Sequence, residues 1–140
     1  MKSNGVNLEE LKLAWEYASK CEPPYQFGAV VVKDGKIIAA DHNHVAEIPD
    51  TSAHAEISAI RKACLELGEY NLKGCILVAT HEPCIMCFSC AMWADIDKVV
   101  YQVPKDAQED FMYASSMSLE EFNKTALRSN IEIIKVKSEH

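Results

Sequence analysis

The stretch FGAVVVKDGKIIAA, residues 27–40, predicts a β-hairpin. The apolar, valine-rich run from Phe27 to Val32 indicates one strand, and Lys36 to Ala40 indicates the strand that returns beside it. The dipeptide Asp34-Gly35 between them is a strong signal for a two-residue turn, because both residue types tolerate a positive φ. The chain is therefore expected to contain a sheet with at least one antiparallel pair.

Helical patterns lie on both sides of this hairpin. Apolar residues spaced three to four apart predict a first helix over 8–19, with Asn7 as its N-cap, and a second helix over 54–67. Gly68 follows the second helix and is a natural C-terminal stop. A third helix is predicted to begin near Cys84 and to end near Ala94.

Short apolar runs predict three further strands, Cys75–Ala79, Lys98–Tyr101 and Ile131–Val136. Ser118 and Glu121 have the spacing of a capping box, which predicts a fourth helix before the last strand. The element order is therefore α-β-β-α-β-α-β-α-β. Strands separated by helices are expected to run parallel, with the hairpin as the one antiparallel pair. The predicted fold class is α/β, a three-layer α/β/α sandwich with a mixed five-stranded sheet.

The length and composition of the chain are those of one globular domain. Its 140 residues suffice for a core, and a hydrophobic content of 49% with 25% charged residues is ordinary for a soluble protein. No repeat or linker divides residues 1–140, so we expect a single domain. Acidic residues number 21 against 14 lysines and arginines, for a net charge of −7. This balance argues against a nucleic acid as partner.

The apolar runs and the cysteines point to a cytoplasmic protein. The longest apolar runs are far too short to span a membrane, and residues 1–20 lack the apolar core of a signal peptide. Four of the six cysteines, Cys21, Cys64, Cys75 and Cys90, show no disulfide-framework spacing, so we expect them to be reduced.

Three residues at the starts of two predicted helices indicate a metal site. His54 opens one helix, and Cys84 and Cys87 lie three residues apart on one face of the next. We expect both helices to start at the carboxyl ends of neighbouring strands, where the positive helix N-termini favour thiolates. One imidazole and two thiolates suit zinc, and a set of three ligands leaves a position for water, as catalytic zinc sites do. We predict one zinc ion per chain.

Glu56 is the predicted proton carrier of this site. It lies two residues after His54 on a different side of the helix, so it is not expected to be a ligand. Zinc lowers the pKa of a bound water from about 15.7 to roughly 7. A carboxylate within reach can take that water's proton and pass it to a substrate nitrogen.

Other interpretations of these residues stay open. Cys90 completes a C-x2-C-x2-C run and could close a structural zinc site as the fourth ligand. An iron–sulfur cluster is disfavoured, because the bacterial run needs a fourth cysteine followed by proline, whereas Ala91-Met92 follows Cys90. A core histidine with core cysteines and no metal is the third alternative. We expect the remaining histidines, His42, His44, His81 and His140, to be surface or supporting residues rather than ligands.

The motifs together resemble one enzyme superfamily. The stretches FGAVVV (27–32), DTSAHAEISAIR (50–61) and EPCIMC (82–87), with Asn43 between the first two, are similar to the cytidine-deaminase-like superfamily. Within it, they most resemble the guanine deaminases, cytosine deaminases and tRNA adenosine deaminases. The resemblance runs from about Phe27 to Tyr101. It implies the same fold, a catalytic zinc and Glu56 as the catalytic proton shuttle.

The resemblance also implies substrate contacts. Asn43 matches the residue that hydrogen-bonds the base, although asparagine is common in turns. Phe27 and Trp93 match aromatic residues that flank a flat base, and each could equally be a core residue. Glu109 or Asp110 resembles the acidic residue with which guanine deaminases hold a purine, and a solvated loop is the alternative. Because guanine deaminases use a C-terminal extension as a cover, a different segment is expected to exclude water here.

The predicted function is hydrolytic deamination of a free nucleobase or nucleoside-like small molecule, with guanine or a related purine first and cytosine second. A tRNA adenosine deaminase is an alternative with a different partner, which the net charge of −7 disfavours. A zinc-stabilised interaction module without turnover is the alternative outside enzymology. The resemblance implies a homo-oligomer, most simply a dimer.

Overall fold

The computed structural model describes residues 2–3, 6–109, 112–128 and 130–137. Within them, five strands and four helices make up the domain, preceded by a small two-stranded hairpin. In chain order the elements are β1 (Lys2–Ser3), β2 (Val6–Asn7), α1 (Leu8–Ala18), β3 (Gly28–Lys33), β4 (Lys36–His42), α2 (Ala55–Leu67), β5 (Cys75–His81), α3 (Ile85–Trp93), β6 (Lys98–Val103), a 3₁₀ turn (Lys105–Ala107), α4 (Leu119–Asn123) and β7 (Glu132–Lys135).

The five-stranded sheet formed by the described residues is mixed, as predicted, with the strand order β4-β3-β5-β6-β7. The pairs β5–β6 and β6–β7 are parallel, and β3–β4 is antiparallel. The expectation of a single antiparallel pair is wrong, because β3 also pairs antiparallel with β5. The strands that α2 connects, β4 and β5, do run in the same direction, but β3 lies between them.

The predicted hairpin is confirmed as β3 and β4. Asp34 and Gly35 have φ angles of 51° and 76°, which is the conformation that a two-residue turn of this kind requires. The register shifts once, so that Val31 faces Ala39 while Val32 faces Ile37. This β-bulge leaves Ile38 as the extra residue on β4.

Side chains on the two faces of the sheet build two separate core regions. Val30 and Val32 point to one face, where they pack with Leu11 and Ala14 of α1. Ala29 and Val31 point to the other face, which α2, α3 and α4 cover. Phe88 of α3 is the largest fully buried side chain among the described residues, and it packs in this core. The sheet therefore lies between one helix on one side and three on the other, and this confirms the three-layer sandwich.

Gly28 permits the close approach of α1 to the start of β3. A Cβ atom at this position would overlap the carbonyl oxygen of Ala14 and lie 2.8 Å from the backbone nitrogen of Ala18. Only glycine fits such a contact between two backbones. The contact fixes α1 against the start of β3, directly after Phe27.

The predicted helix ends are confirmed. The Asn7 side chain accepts a hydrogen bond from the Glu9 N–H at the start of α1, and Gly68 ends α2 with a φ of 68°. Ser118 accepts from the Glu121 N–H, which completes the predicted cap of α4, although that helix has only five residues. None of the described helices is both long and apolar enough to cross a membrane.

Candidate metal centre and active site

Two helices start at the same end of the sheet and carry the predicted ligands. The chain enters α2 from the carboxyl-terminal side of β4 and enters α3 from that of β5. The sequence predicted that these two strands would be neighbours. That prediction is wrong, because β3 lies between them. His54 and Cys84 are the N-cap residues of α2 and α3, with extended backbones and no side-chain capping hydrogen bond. Their imidazole and thiol are therefore available to a ligand.

The structure brings the three predicted ligands together. The Nδ1 atom of His54 lies 3.6 Å from the sulfur of Cys84 and 3.4 Å from that of Cys87. One donor atom from each residue lies within 4.8 Å of the others. One imidazole and two thiols in such a cluster fit a zinc ion, and the described residues add no fourth donor to it.

Cys90 does not belong to this cluster. It lies one turn further along α3, half-buried against the core between the helices, and its electrostatic neighbours are Cys64 and Arg61. Burial raises the pKa of its thiol, which favours a neutral core cysteine. The donor set of the described residues therefore has the three members that the open-site prediction requires.

The electrostatics of the cluster favour binding of a cation. A hydrogen bond from the Cys87 thiol lowers the pKa of Cys84 to about 4, and His54 also favours the Cys84 thiolate. Sharing that hydrogen bond raises the pKa of the buried Cys87. Metal binding requires deprotonated thiols, so a cation at this position would displace the remaining proton.

Glu56 is the second residue of α2 and is buried, with 7% of its surface exposed. Burial raises the pKa of its carboxyl group to about 7, and the negative charge of Cys84 acts in the same direction. It is not a member of the donor cluster, yet it lines the same cavity as His54 and Cys84. Glu56 is thus placed beside the metal position without occupying it.

The cavity above the cluster has a volume of about 520 Å³, within the range of small-molecule sites. Phe27 and Asn43 line it, as predicted from the resemblance. The Oδ1 atom of Asn43 accepts a 3.0 Å hydrogen bond from the Val45 N–H. Asn43 is therefore a turn residue and a cavity residue at once, and its Nδ2 group is the part that remains for a substrate.

Two of the other predicted substrate contacts, Trp93 and Glu109, do not reach the cavity. Trp93 is 71% exposed at the far end of α3, where Arg128 lies over its ring. A helix of nine residues that carries a ligand at its first turn places its last residue about 13 Å away. Glu109 is exposed and does not line the cavity, and Asp110 lies outside the described residues.

Several cavity residues were not predicted from the sequence. Gln108, Met112 and Tyr113 form a wall after β6, where the Tyr113 hydroxyl donates to the Glu82 carbonyl oxygen at 2.7 Å and accepts from Gln108 Nε2 at 2.6 Å. His81, the last residue of β5, forms part of another wall. In the segment that holds Tyr113 the resemblance predicts a role only for the acidic residues, and no motif points to His81.

A second cluster lies beside the turn that carries Asn43. Asp41, His42 and His44 each place a possible ligand atom within 4.8 Å of the others. Asp41 Oδ1 already accepts from His44 Nε2 at 2.6 Å, and the Lys62 ammonium lies 3.4 Å from Oδ2. Glu47 holds the other nitrogen of His44 at 2.8 Å. These side chains therefore form an ion-pair network that stabilises the turn, rather than a second metal site.

Comparisons with a family model and with known proteins agree on one family of deaminases. Residues 5–103 match the family described as the cytidine and deoxycytidylate deaminase zinc-binding region. The chain is 42% identical over 110 residues to a guanine deaminase of Bacillus subtilis, covering 79% of this chain and 70% of that protein. It is 46% identical over 96 residues to a tRNA-specific adenosine deaminase of Aquifex aeolicus, covering 69% and 60% respectively. The chain thus spans less than two thirds of the Aquifex protein.

Solved structures show the same two relationships. A structure from a study of A-to-I editing by tRNA:A34 deaminases has a TM-score of 0.79 at 30% identity, over 92% of this chain and 98% of that one. The X-ray structure of the Bacillus subtilis guanine deaminase has a TM-score of 0.68 at 42% identity, over 72% of this chain and 66% of that one. Both support the sandwich fold, and neither relationship is clearly the nearer one.

Proposed function

This chain belongs to the cytidine and deoxycytidylate deaminase family, and on that basis we propose that it deaminates a free purine base, guanine or a close relative, by hydrolysis. In this reaction water adds to the carbon that carries the amino group. Ammonia then leaves and a carbonyl group remains. The finer assignment of a free base rests on the chemistry of the cavity.

The chain's own residues divide the work of this reaction. A zinc ion held by His54, Cys84 and Cys87 would supply the Lewis acidity that turns water into a nucleophile near neutral pH. Glu56 accepts one proton from the attacking water and delivers it to a ring nitrogen. It then takes the second proton from the added hydroxyl group and delivers it to the amino group, which leaves as ammonia. Phe27 contributes an aromatic surface beside the base, and Asn43 donates from Nδ2 to an acceptor on it.

The charge of the cavity mouth is the observation that favours a free base over a substrate with phosphate groups. Glu22 and Glu47 are exposed where they line it, and none of the described lining residues is a lysine or an arginine. Phosphate groups are normally held by such cations or by helix N-termini, and the two helix N-termini at this cavity already carry the predicted metal ligands. An acidic mouth repels nucleotides and a nucleic-acid backbone, whereas an uncharged base enters it without that cost.

A tRNA adenosine deaminase remains the second candidate. It is favoured by 46% identity to the Aquifex protein and by the TM-score of 0.79 to a structure from the tRNA:A34 deaminase study. A nucleic-acid substrate would require cations on surfaces outside the cavity. Its turnover would fall steeply with added salt, whereas turnover of an uncharged base would not.

Ammonia release from a substrate panel tests the proposal. The panel contains guanine, cytosine, adenosine and an anticodon stem-loop with adenosine at the wobble position, each at low and high salt. We expect release from guanine that is insensitive to salt. Release from the stem-loop alone would favour the second candidate, and no release from a zinc-loaded chain would favour a non-catalytic module. From the resemblance alone, we also propose a homodimer, which light scattering would measure.

A further inference from the structure

His81 occupies a place in the cavity wall that the reaction as described does not use. It ends β5, three residues before Cys84. Its ring lies between two aromatic side chains, with centroid distances of 4.6 Å to Phe27 and 5.3 Å to Trp15. The contact with Phe27 is edge-to-face, at an interplanar angle of 73°. The ring is thus held rigidly next to the predicted aromatic surface for the base.

One nitrogen of this ring is committed to the protein. The Nδ1 atom lies 2.7 Å from the hydroxyl of Thr80, which is fully buried. That hydroxyl accepts from the Gly28 N–H at 3.2 Å, and its other acceptor, the Gly28 carbonyl oxygen, is 3.4 Å away. Either the hydroxyl donates to Nδ1, or Nδ1–H donates to the hydroxyl while the hydroxyl donates to the Gly28 carbonyl oxygen. In both arrangements Nδ1 is paired with the protein.

The other ring nitrogen has no partner within the described residues. Nε2 makes no hydrogen bond there, and His81 lines the cavity. Burial lowers the pKa of His81 to about 4, so the ring is neutral at physiological pH.

We propose that His81 is a specificity-determining residue, which forms a hydrogen bond through Nε2 with the edge of the bound base. The inference rests on the proposed function. Asn43 Nδ2 is a second polar group on the same cavity, so the two residues select a heterocycle whose edges match both. Guanine presents acceptors in its ring nitrogens and its carbonyl oxygen, and N–H donors beside them. A base that lacks the matching group would leave Nε2 unpaired in a dry site.

Analogues of guanine that each lack a polar group on one edge identify this contact. We would measure kcat/KM for guanine, 3-deazaguanine, 7-deazaguanine and 2-aminopurine with the wild type and with His81→Leu. The wild type is expected to lose about ten- to a hundredfold on one analogue more than on the others. His81→Leu is expected to turn over guanine more slowly and to lose the discrimination against that analogue. His81→Gln, which keeps a hydrogen-bonding group, is expected to restore part of it.

Two controls separate recognition from packing. Trp15→Phe loosens the contact on the other side of the ring without removing Nε2, so it should keep the wild-type preference. Zinc content and Tm are measured for every variant, so that a loss of folding is not taken for a loss of selectivity. His81→Leu or His81→Gln variants that keep the wild-type preference overturn the role of His81 while the proposed function stands. A zinc-loaded wild type that turns over no free base overturns both.

Discussion

The side-chain oxygen of Asn43 accepts a hydrogen bond from the Val45 N–H at 3.0 Å, so only the amide nitrogen of Asn43 is left to face a substrate. The two interpretations of this residue, turn former and substrate contact, therefore use different atoms of the same group. Aspartate in its place would keep the acceptor and remove the donor. Substitution can then separate the two roles.

We predict that Asn43→Asp keeps the wild-type Tm but lowers kcat/KM on the best substrate at least tenfold, because it retains the turn and loses the Nδ2 donor. Asn43→Ala should lose the same activity and about 1 kcal/mol of stability as well, since the Val45 N–H loses its partner. Steady-state kinetics and thermal unfolding measure the two effects. An Asn43→Asp variant with wild-type kcat/KM would leave Asn43 as a turn residue only.

Metal content should distinguish the two cysteines that follow Cys84. Cys87→Ala removes a predicted ligand, and we expect it to bind far less zinc than the wild type. Cys90→Ala is the matched control on the same helix and should keep one zinc per chain, because its thiol lies near Cys64 and Arg61 instead. Elemental analysis after dialysis measures both. Equal loss in the two variants would indicate a closed site with four ligands.

Glu56→Gln should retain zinc and lose turnover. The amide is close in shape to the buried carboxyl group but cannot accept and return a proton. General acid–base groups contribute about 10² to 10⁴ in rate, so we expect kcat to fall by at least that range. Ammonia release from zinc-loaded protein measures it. A variant that keeps most of its kcat would remove Glu56 from the mechanism.

Tyr113→Phe should weaken the wall formed after β6. The substitution removes the hydroxyl that donates to the Glu82 carbonyl oxygen and accepts from Gln108, and it changes little else. We expect KM to rise several-fold with zinc content unchanged, because the segment is held less closely over the cavity. Tyr70→Phe is a control at an exposed position and should change nothing. A wild-type KM in Tyr113→Phe would show that the wall does not depend on this hydroxyl.

Gly28→Ala should destabilise the fold and disturb the cavity together. Its Cβ would overlap the Ala14 carbonyl oxygen, so α1 must move, at a cost of about 3 kcal/mol. Gly68→Ala tests a different glycine, whose positive φ is strained for alanine but whose surroundings are open; it should cost about 1 kcal/mol and keep full activity. Chemical denaturation and kinetics on both variants check this. Similar stabilities of the two variants would contradict the predicted contact.

Local signals in the sequence predicted much of the fold. The turn at Asp34-Gly35, the cap at Asn7 and the stop at Gly68 each depend on the conformational preferences of one or two residues, and each is confirmed. The clustering of His54, Cys84 and Cys87 was predictable for a related reason, because few other chemistries need these residue types at helix starts.

The arrangement of the strands was less predictable. The continuous apolar run of β3 shows that both faces of the strand are covered, but not which strand lies on its second edge, so the pairing with β5 was missed. Trp93 was assigned by resemblance, and its distance from the cavity follows from the length of α3. His81 carries no motif, and its importance emerges only from the rings on either side of it.

The two edges of the sheet bear on how copies of this chain can meet. The edge strand β4 contains the bulge at Ile38, which twists a strand away from straight pairing. At the opposite edge, β7 has only four residues, and its ends are the exposed Glu132 and Lys135. Charges, short length and bulges are features that oppose strand addition. Copies of this chain are therefore expected to associate through helices or loops rather than by extending the sheet, which also protects the folded protein against edge-to-edge aggregation.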